Sequence, residues 1–216
     1  MNLFVSHALN QGLTWFPDLG VGCFLSPQKR KEDYFDEYKG LKGSEIGVSL
    51  LRFRCNLVNK FIKESRCLDI GIGSGDFVER RSNTFGYDVD LKSIRWLRRR
   101  GLWCNPYLME FLDDSLFSGV SFWDSFEHLP NPGELLKLIR SQFIFISTPV
   151  FHSLEHLKSS KHLKPEEHVY YFTHQGLKSF MKFYGFNLLY STKEESSIGR
   201  EDIETFVFQR EMEESK

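Results

Sequence analysis

Residues Cys67 to Asp76 form an apolar run that breaks into alternating glycines, a composition suited to holding a nucleotide-like ligand. The apolar residues predict a buried strand, and Gly71, Gly73 and Gly75 predict a tight turn into a helix. Glycine is needed where the backbone reverses sharply and touches a ligand, because it lacks a Cβ atom and readily adopts positive φ angles. The same residues would also suit an ordinary turn between a strand and a helix.

The spacing of these glycines separates the ligand classes. A dinucleotide fingerprint, G-x-G-x-x-G, would place glycine at position 76, where the chain has Asp76. A phosphate-binding P-loop is excluded because the G-x-x-x-x-G-K-[ST] sequence does not occur. Asp69 precedes the glycines by two residues, and a carboxylate there would repel pyrophosphate and attract an ammonium group. The pattern therefore favours a nucleotide-type ligand that carries positive charge.

A second acidic position follows the next predicted strand, which covers Thr84 to Tyr87. In open α/β sheets, a carboxylate about 20 residues beyond the glycines commonly accepts hydrogen bonds from ribose hydroxyls. Asp88 is the candidate for this contact, whereas Asp90 is placed to cap the helix that starts near Leu91. Alternatively, Asp88 would be a solvated turn residue.

Taken together, these segments resemble a known family. Leu68–Gly75 and Gly86–Asp88 resemble motif I and the acidic position after it in class I S-adenosylmethionine-dependent methyltransferases. Phe122–Pro132 is similar to a block after the fourth strand in the subgroup that includes the ubiquinone-biosynthesis O-methyltransferases. Lys164–Thr173 resembles the segment that precedes the last core helix in the same subgroup. The resemblance covers residues 34 to 210.

The resemblance implies S-adenosylmethionine as the cofactor and a small-molecule methyl acceptor, with oxygen favoured over nitrogen as the acceptor atom. Asp69 would hold the methionine end of the cofactor, and Asp88 would accept hydrogen bonds from the ribose. The chain lacks the [DNS]-P-P-[YF] tetrapeptide that holds an amino nitrogen in many DNA and protein-glutamine methyltransferases. The cofactor-binding residues implied are Asp69, Gly71, Ile72, Gly73, Gly75, Asp88, Val89 and Asp124.

His128, in the loop after the fourth predicted strand, is the candidate catalytic residue. An imidazole with an ordinary pKa near ~6.5 accepts a hydroxyl proton at neutral pH. Alternatively, Glu127 and His128 would orient the loop through hydrogen bonds, and His168 is a second candidate base. The adenine contact stays open between Glu110–Phe111 and Asp113–Asp114.

Helix and strand patterns alternate after residue 45. They predict an α/β fold with a Rossmann-like, seven-stranded, mostly parallel sheet, helices on both faces and a closing antiparallel hairpin. Gln142–Pro149 predicts a central strand, and Phe186–Ser191 and Ile203–Phe208 predict the hairpin. Residues 46–216 would form the methyltransferase domain.

Residues 1–45 show no regular period and are rich in aromatic and charged side chains. They are predicted to be an N-terminal extension or cap over the active site. Tyr34 and Tyr38 would either line the pocket or pack the extension against the domain.

Composition narrows the class of protein further. The formal net charge of −1 provides no bulk field that would attract nucleic acid or an anionic membrane. The four cysteines are scattered without a C-x-x-C pair, which predicts reduced thiols in a cytoplasmic protein and no metal site. No apolar run reaches the ~20 residues that a membrane span requires. The sequence leaves the oligomeric state open.

Two other classes stay open at this level. One is a non-catalytic S-adenosylmethionine-binding protein that serves as a regulatory or partner subunit. The other, a nicotinamide-dependent oxidoreductase, is disfavoured because Asp76 replaces the last glycine of the fingerprint.

Overall fold

A computed structural model of the chain describes residues 7–8, 12–24, 43–108 and 116–211. The strands within them are β1 (His7–Ala8), β2 (Leu13–Phe16), β3 (Val21–Phe24), β4 (Cys67–Ile70), β5 (Thr84–Tyr87), β6 (Gly119–Trp123), β7 (Phe143–Pro149), β8 (Tyr170–Phe172), β9 (Phe186–Thr192) and β10 (Ile203–Arg210). The α-helices are α1 (Glu45–Ile62), α2 (Asp76–Arg80), α3 (Leu91–Arg99), α4 (Pro132–Leu138), α5 (Leu154–Ser159), α6 (His174–Phe183) and α7 (Glu194–Ser197).

The main sheet has the strand order β5-β4-β6-β7-β10-β9. Strands β5, β4, β6 and β7 are parallel, and β10 pairs antiparallel with both β7 and β9. This arrangement confirms the predicted α/β fold with a mostly parallel sheet and a closing antiparallel hairpin. In the described part of the chain the sheet has six strands, so the predicted count of seven is not confirmed. An isolated parallel bridge between Gly86 and Trp103 lies at the outer edge of β5.

The side chains of each strand alternate between the two faces of this sheet. Apolar side chains lie on both faces, and helices cover both. Leu68 and Ile70 of β4 belong to a buried core that includes residues of α4 and α6. Cys67, on the opposite face, packs with residues of α1 and α2. Strands β6 and β7 are buried along their whole length, as expected for central strands with helices on both sides.

Side-chain caps fix the start of the helices that border the main sheet. Ser44 accepts a hydrogen bond from the amide of Gly47 at the start of α1. Asp90 accepts one from the amide of Ser93 at the start of α3, as predicted. Each cap satisfies an amide that has no partner within its helix, and so sets the residue at which the helix begins.

A second, antiparallel sheet has the order β1-β2-β3-β8. Strands of the N-terminal segment therefore pair with a strand far along the chain, with Val21 opposite Phe172. These strands have four residues or fewer, too few to give a clear period in the sequence. Tyr34 and Tyr38 lie outside the described residues, and a cap formed by residues 1–45 stays a prediction. Among the described helices, none has both the length and the apolar character that crossing a membrane would require.

Candidate active site

A cavity of about 1200 Å³ opens beside the carboxyl ends of β4, β5 and β6. Ligands of open α/β sheets bind at this edge of the strands. Its walls come from α1, the glycine loop after β4, the loops after β5 and β6, and residues 166–169 and 199–200. The predicted site residues that line it are Asp69, Gly71, Ile72, Gly73, Asp88, Val89, Asp124 and His128.

The glycine loop is held in a conformation that other residues would strain. Gly71 has a φ angle of +79°, and a Cβ atom added there would lie 2.4 Å from the Cβ atom of Ser125. Gly75 has a φ angle of +81° and would clash with the ring of Trp96. Gly75 is not among the described residues that line the cavity, because it begins helix α2 and packs against α3 instead. The first glycine therefore shapes the cavity wall, and the last one shapes the turn into the helix.

Asp69 lies at the base of the cavity and is 1% exposed. Its Oδ1 atom accepts a hydrogen bond of 2.7 Å from the hydroxyl of Ser121 on the neighbouring strand. Burial raises the pKa of Asp69 to about 7, although the Ser121 hydroxyl acts in the opposite direction. A cationic group entering the cavity would stabilise the charged carboxylate and offset its desolvation.

Asp88 organises the loop after β5. One of its carboxylate oxygens accepts hydrogen bonds from the amides of Val89 and Asp90, at 2.7 and 2.9 Å. The other accepts one of 3.0 Å from the amide of Ile72 in the glycine loop. Burial raises the pKa of Asp88, while the bonds from these amides lower it. The carboxylate therefore ties the glycine loop to the loop after β5 and still lines the cavity.

Asp124 sits in a cluster of four charged side chains, one buried and three partly buried, that its own local sequence does not indicate. Its carboxylate pairs with Arg54 on α1 at 2.8 Å and with Arg200 after α7 at 2.8 Å. Glu195 on α7 pairs with the same two arginines, at 2.8 and 2.6 Å. Burial alone would raise the pKa of Asp124, but the two arginines hold it well below its usual range. The Asp124 carboxylate, at the wall of the cavity, is therefore already paired with two arginines.

Three charged residues at this site are not among those predicted from sequence: Arg54, Glu195 and Arg200. Arg54 and Arg200 line the cavity, whereas Glu195 is fully buried behind them. These residues come from α1 and from the connection between β9 and β10, more than 130 positions apart. No local motif marks such a pairing, so only the tertiary structure brings it out.

His128 lies on the cavity wall at the end of the short helix Phe126–His128. Its Nδ1 atom donates a hydrogen bond of 2.7 Å to the carbonyl oxygen of Glu167, because a carbonyl can only accept. The Nε2 atom of the neutral ring therefore carries the lone pair. Burial lowers the pKa of His128, although the bond to Glu167 opposes this effect. The lowered pKa keeps the His128 ring neutral, with Nε2 as its acceptor atom.

His168 and Glu127 lie behind His128. The rings of His128 and His168 meet edge to face, with centroids 4.7 Å apart. Burial and the neighbouring His128 lower the pKa of His168 to about 3. Burial and the nearby Asp124 raise the pKa of Glu127 to about 8. Glu110, Phe111, Asp113 and Asp114, the candidate adenine contacts, lie outside the described residues.

Comparison with known proteins places this site in a family. The model of the family described as "Methyltransferase domain" matches residues 46–191. No curated protein sequence matches the chain.

Among solved structures, the chain is similar to a SAM-dependent methyltransferase from Archaeoglobus fulgidus, with 20% identity and a TM-score of 0.57 over 83% of this chain and 100% of that one. It is similar to the magnesium protoporphyrin IX methyltransferase of Synechocystis with bound SAH, with 13% identity and a TM-score of 0.55 over 82% and 94%. It is also similar to the 1,6-didemethyltoxoflavin-N1-methyltransferase of Burkholderia thailandensis, with 15% identity and a TM-score of 0.53 over 96% and 99%. At these identities the likeness shows a shared fold.

The family match runs from the first residues of α1 to the end of β9 and includes the glycine loop, Asp88, Asp124 and His128. It therefore spans most of the main sheet and the walls of the cavity. The chain belongs to the methyltransferase domain family, which confirms the predicted class of S-adenosylmethionine-dependent methyltransferase.

Proposed function

We propose that the cavity binds S-adenosylmethionine beside a small-molecule acceptor and that the enzyme methylates this acceptor at oxygen. The observation that carries the proposal is that one cavity contains a buried carboxylate and a partly buried carboxylate beside the glycine loop, and a neutral histidine with a free lone pair. These residues are Asp69, Asp88 and His128. The carboxylates suit a cationic, ribose-bearing cofactor, and the histidine suits a hydroxyl acceptor.

The cofactor would bind along the glycine loop. A carboxylate offers about four lone-pair sites, and three backbone amides occupy part of this capacity at Asp88. The remaining capacity would accept hydrogen bonds from the ribose hydroxyls. Asp69 would face the ammonium group of the methionine end, directly or through water. Val89, whose side chain is half exposed in the cavity wall, would contact the adenine ring.

Asp124 would support the cofactor indirectly. Its carboxylate is bound by Arg54 and Arg200, so it would position these two arginines in the cavity wall. Arg54 also stacks on Trp123, with its guanidinium carbon 5.0 Å from the ring centroid. The arginines would then face the carboxylate of the methionine end, which needs a cationic partner.

The chemistry requires alignment more than activation, because a sulfonium methyl group is already electrophilic. The acceptor oxygen would attack the methyl carbon in line with the C–S bond. The C–O bond forms as the C–S bond breaks, and the electron pair stays on sulfur. His128 Nε2 would take the hydroxyl proton, since Nδ1 is engaged by Glu167.

The acceptor class follows from the resemblance of Phe122–Pro132 to the ubiquinone-biosynthesis O-methyltransferases. Phenolic hydroxyls therefore come first among candidate acceptors. Residues 1–45 would contribute a cap over the cavity. Strand β3 belongs to this segment and pairs with β8, which begins directly after the cavity-lining Val169. This pairing brings part of the segment next to the cavity wall. A nucleic-acid base is not favoured as acceptor.

Calorimetry with S-adenosylhomocysteine tests the cofactor site. We expect one molecule bound per chain, and affinity about 10- to 100-fold lower after Asp88→Asn, which removes a charge-assisted hydrogen bond worth about 1.5–3 kcal/mol. Asp18→Asn is the matched control, because Asp18 is exposed and lies outside the cavity. No binding by the native protein, or equal binding by both variants, would contradict the proposal.

A second assay addresses the acceptor atom. Release of S-adenosylhomocysteine is measured with paired acceptors that differ only in a hydroxyl or an amino group on the same aromatic ring. Turnover of the phenols is expected, with loss of activity in His128→Ala. Turnover of the amines alone would overturn the assignment to oxygen. Cofactor binding without turnover of any acceptor would favour the non-catalytic alternative.

A further inference from the structure

Glu127, His128 and His168 form a cluster that the proposed cofactor site does not use. Each residue offers one atom able to bind a metal ion, and these atoms lie within 4.8 Å of one another. Two ligand atoms that are each about 2.1 Å from a zinc ion stand about 3.4 Å apart in a tetrahedral site. Small side-chain rotations would therefore bring the three atoms onto one ion.

The backbone holds these residues together from two sides. The amide of Val169 donates a hydrogen bond of 2.8 Å to the carbonyl oxygen of Glu127. In the opposite direction, His128 Nδ1 donates to the carbonyl oxygen of Glu167. The turn after β6 is thus fastened to the segment before β8 on both sides of His168. The backbone of the three residues and the ring of His128 are therefore held in place, and only the side chains of Glu127 and His168 have to adjust.

The hydrogen bond of His128 is also the one expected of a metal ligand. Histidines that bind metals usually donate their other ring N–H group to a carbonyl or carboxylate, which fixes the tautomer. Here the donor is Nδ1 and the acceptor is the Glu167 carbonyl oxygen. The lone pair is therefore on Nε2, the atom left to bind an ion.

The other two residues contain buried polar atoms that need a partner. Glu127 and His168 are 2% and 4% exposed. Within the described residues, Oε2 of Glu127 and Nδ1 of His168 have no partner at good hydrogen-bond geometry, although the nearby Thr148 hydroxyl acts to lower the pKa of Glu127. A buried polar atom without a partner costs about 1–3 kcal/mol, and a ligand bound by both residues would offset this cost.

We propose that Glu127, His128 and His168 bind one divalent first-row transition-metal ion, such as Zn²⁺. Two imidazoles and one carboxylate are typical of catalytic zinc and non-haem iron sites, in which at least one coordination position stays open. Two imidazole ligands disfavour Mg²⁺ and Ca²⁺, which prefer oxygen ligands. The prediction from sequence that the chain has no metal site rested on its cysteines, and these residues use none.

The open position would face the acceptor. His128 and Glu167 line the cavity, whereas Glu127 and His168 are buried behind them. A hydroxyl oxygen bound to the ion becomes more acidic and loses its proton to water. The resulting oxygen attacks the sulfonium methyl group, and the C–S electron pair stays on sulfur. This catalytic part rests on the proposed function, whereas the binding of the ion does not.

The test uses the full chain, stripped of metal with a chelator and titrated with Co²⁺, whose visible absorption reports its ligands. We expect one equivalent of bound Co²⁺, displaced by Zn²⁺ but not by equimolar Mg²⁺. His168→Ala and Glu127→Gln should each weaken binding by at least tenfold, since loss of even an outer partner weakens metal binding by about 10- to 100-fold. His152→Ala is the matched control, because His152 is exposed and lies outside this cluster.

Calorimetry with S-adenosylhomocysteine on the same samples verifies that each variant is folded and separates the two proposals. Cofactor binding with no stoichiometric Co²⁺ uptake would overturn the metal site and leave the proposed function standing. Co²⁺ binding without cofactor binding would do the reverse. Equal Co²⁺ affinity in His168→Ala, Glu127→Gln and the control would also overturn the metal site.

Discussion

Replacing Glu195 by glutamine removes one charge from a buried cluster while keeping the shape of the side chain. In the native protein, Glu195 pairs with Arg54 at 2.8 Å and with Arg200 at 2.6 Å, and accepts a hydrogen bond of 2.6 Å from the Ser147 hydroxyl. Asp124 completes the cluster, so two guanidinium groups face two carboxylates. Glu195→Gln leaves one of the positive charges without a full counter-charge.

The expected loss of stability follows from burial. Removing one partner of a buried ion pair costs about 3–5 kcal/mol. Glu195 is fully buried, but the side chains of Arg54 and Arg200 are 15% and 24% exposed. Water therefore screens part of the charge that is left, and we expect the lower end, about 3 kcal/mol. With a urea m-value of about 2 kcal/mol/M, the unfolding midpoint would fall by about 1.5 M.

Urea unfolding followed by tryptophan fluorescence and circular dichroism measures this change. Glu194→Gln is the control, because Glu194 is the preceding residue of the same helix and is exposed; its effect should stay within about 0.5 kcal/mol. Equal midpoints for the two variants would refute the argument that the buried cluster stabilises this side of the cavity.

The pH dependence gives a second readout of the same variant. Burial alone would raise the pKa of Glu195, but Arg54 holds it below its usual range. A carboxylate with a lowered pKa stabilises the fold above its ordinary pKa of about 4.3 and loses this effect as the pH falls. The difference in stability between native protein and Glu195→Gln should therefore shrink below about pH 4.

Two further substitutions test the cavity itself. Burial raises the pKa of Asp69 to about 7, so ionisation of this carboxyl destabilises the folded state as the pH rises towards that value. In urea unfolding without ligand at pH 8, Asp69→Asn should therefore be more stable than the native protein. Calorimetry should nevertheless show that the variant binds S-adenosylhomocysteine more weakly. Stability that changes equally with pH in both proteins would contradict this reasoning. Gly71→Ala should abolish cofactor binding and destabilise the protein more than Gly101→Ala does. Both glycines have a positive φ angle, whose strain costs about 1–2 kcal/mol in other residues, but of the two only an alanine at position 71 would also clash, with Ser125. Thermal unfolding compares the two variants.

The elements that could be predicted from sequence have a local signal. The glycine loop follows from Gly71 and its neighbours, and the hairpin strands, predicted as Phe186–Ser191 and Ile203–Phe208, end within two residues of β9 and β10. A buried strand and a tight turn are set by consecutive residues, so the pattern is visible without tertiary contacts. By contrast, β3 is stabilised by pairing with β8, almost 150 residues later, and no local pattern specifies that pairing.

The same distinction applies to the site. Three site residues are predictable because each directly follows or belongs to a recognisable segment: Asp69, Asp88 and His128. The structure brings all three to one cavity. Arg54, Glu195 and the clustering of His168 with Glu127 and His128 cannot be predicted from sequence, because their partners come from remote segments. Charge pairing and ligand geometry are properties of the folded chain, and a single sequence shows the residue types without their distances.

His128 cannot act as general base and metal ligand at the same time, because its bond to Glu167 leaves one lone pair, on Nε2. If Glu127 and His168 hold an ion with it, proton removal passes from the imidazole to the acidified acceptor itself. An amine bound to that ion would use up the lone pair that must attack the methyl group, whereas a deprotonated hydroxyl keeps further lone pairs on its oxygen. A metal at this position would therefore select oxygen over nitrogen as the acceptor atom, which links the buried histidine behind the cavity to the specificity of the reaction in front of it.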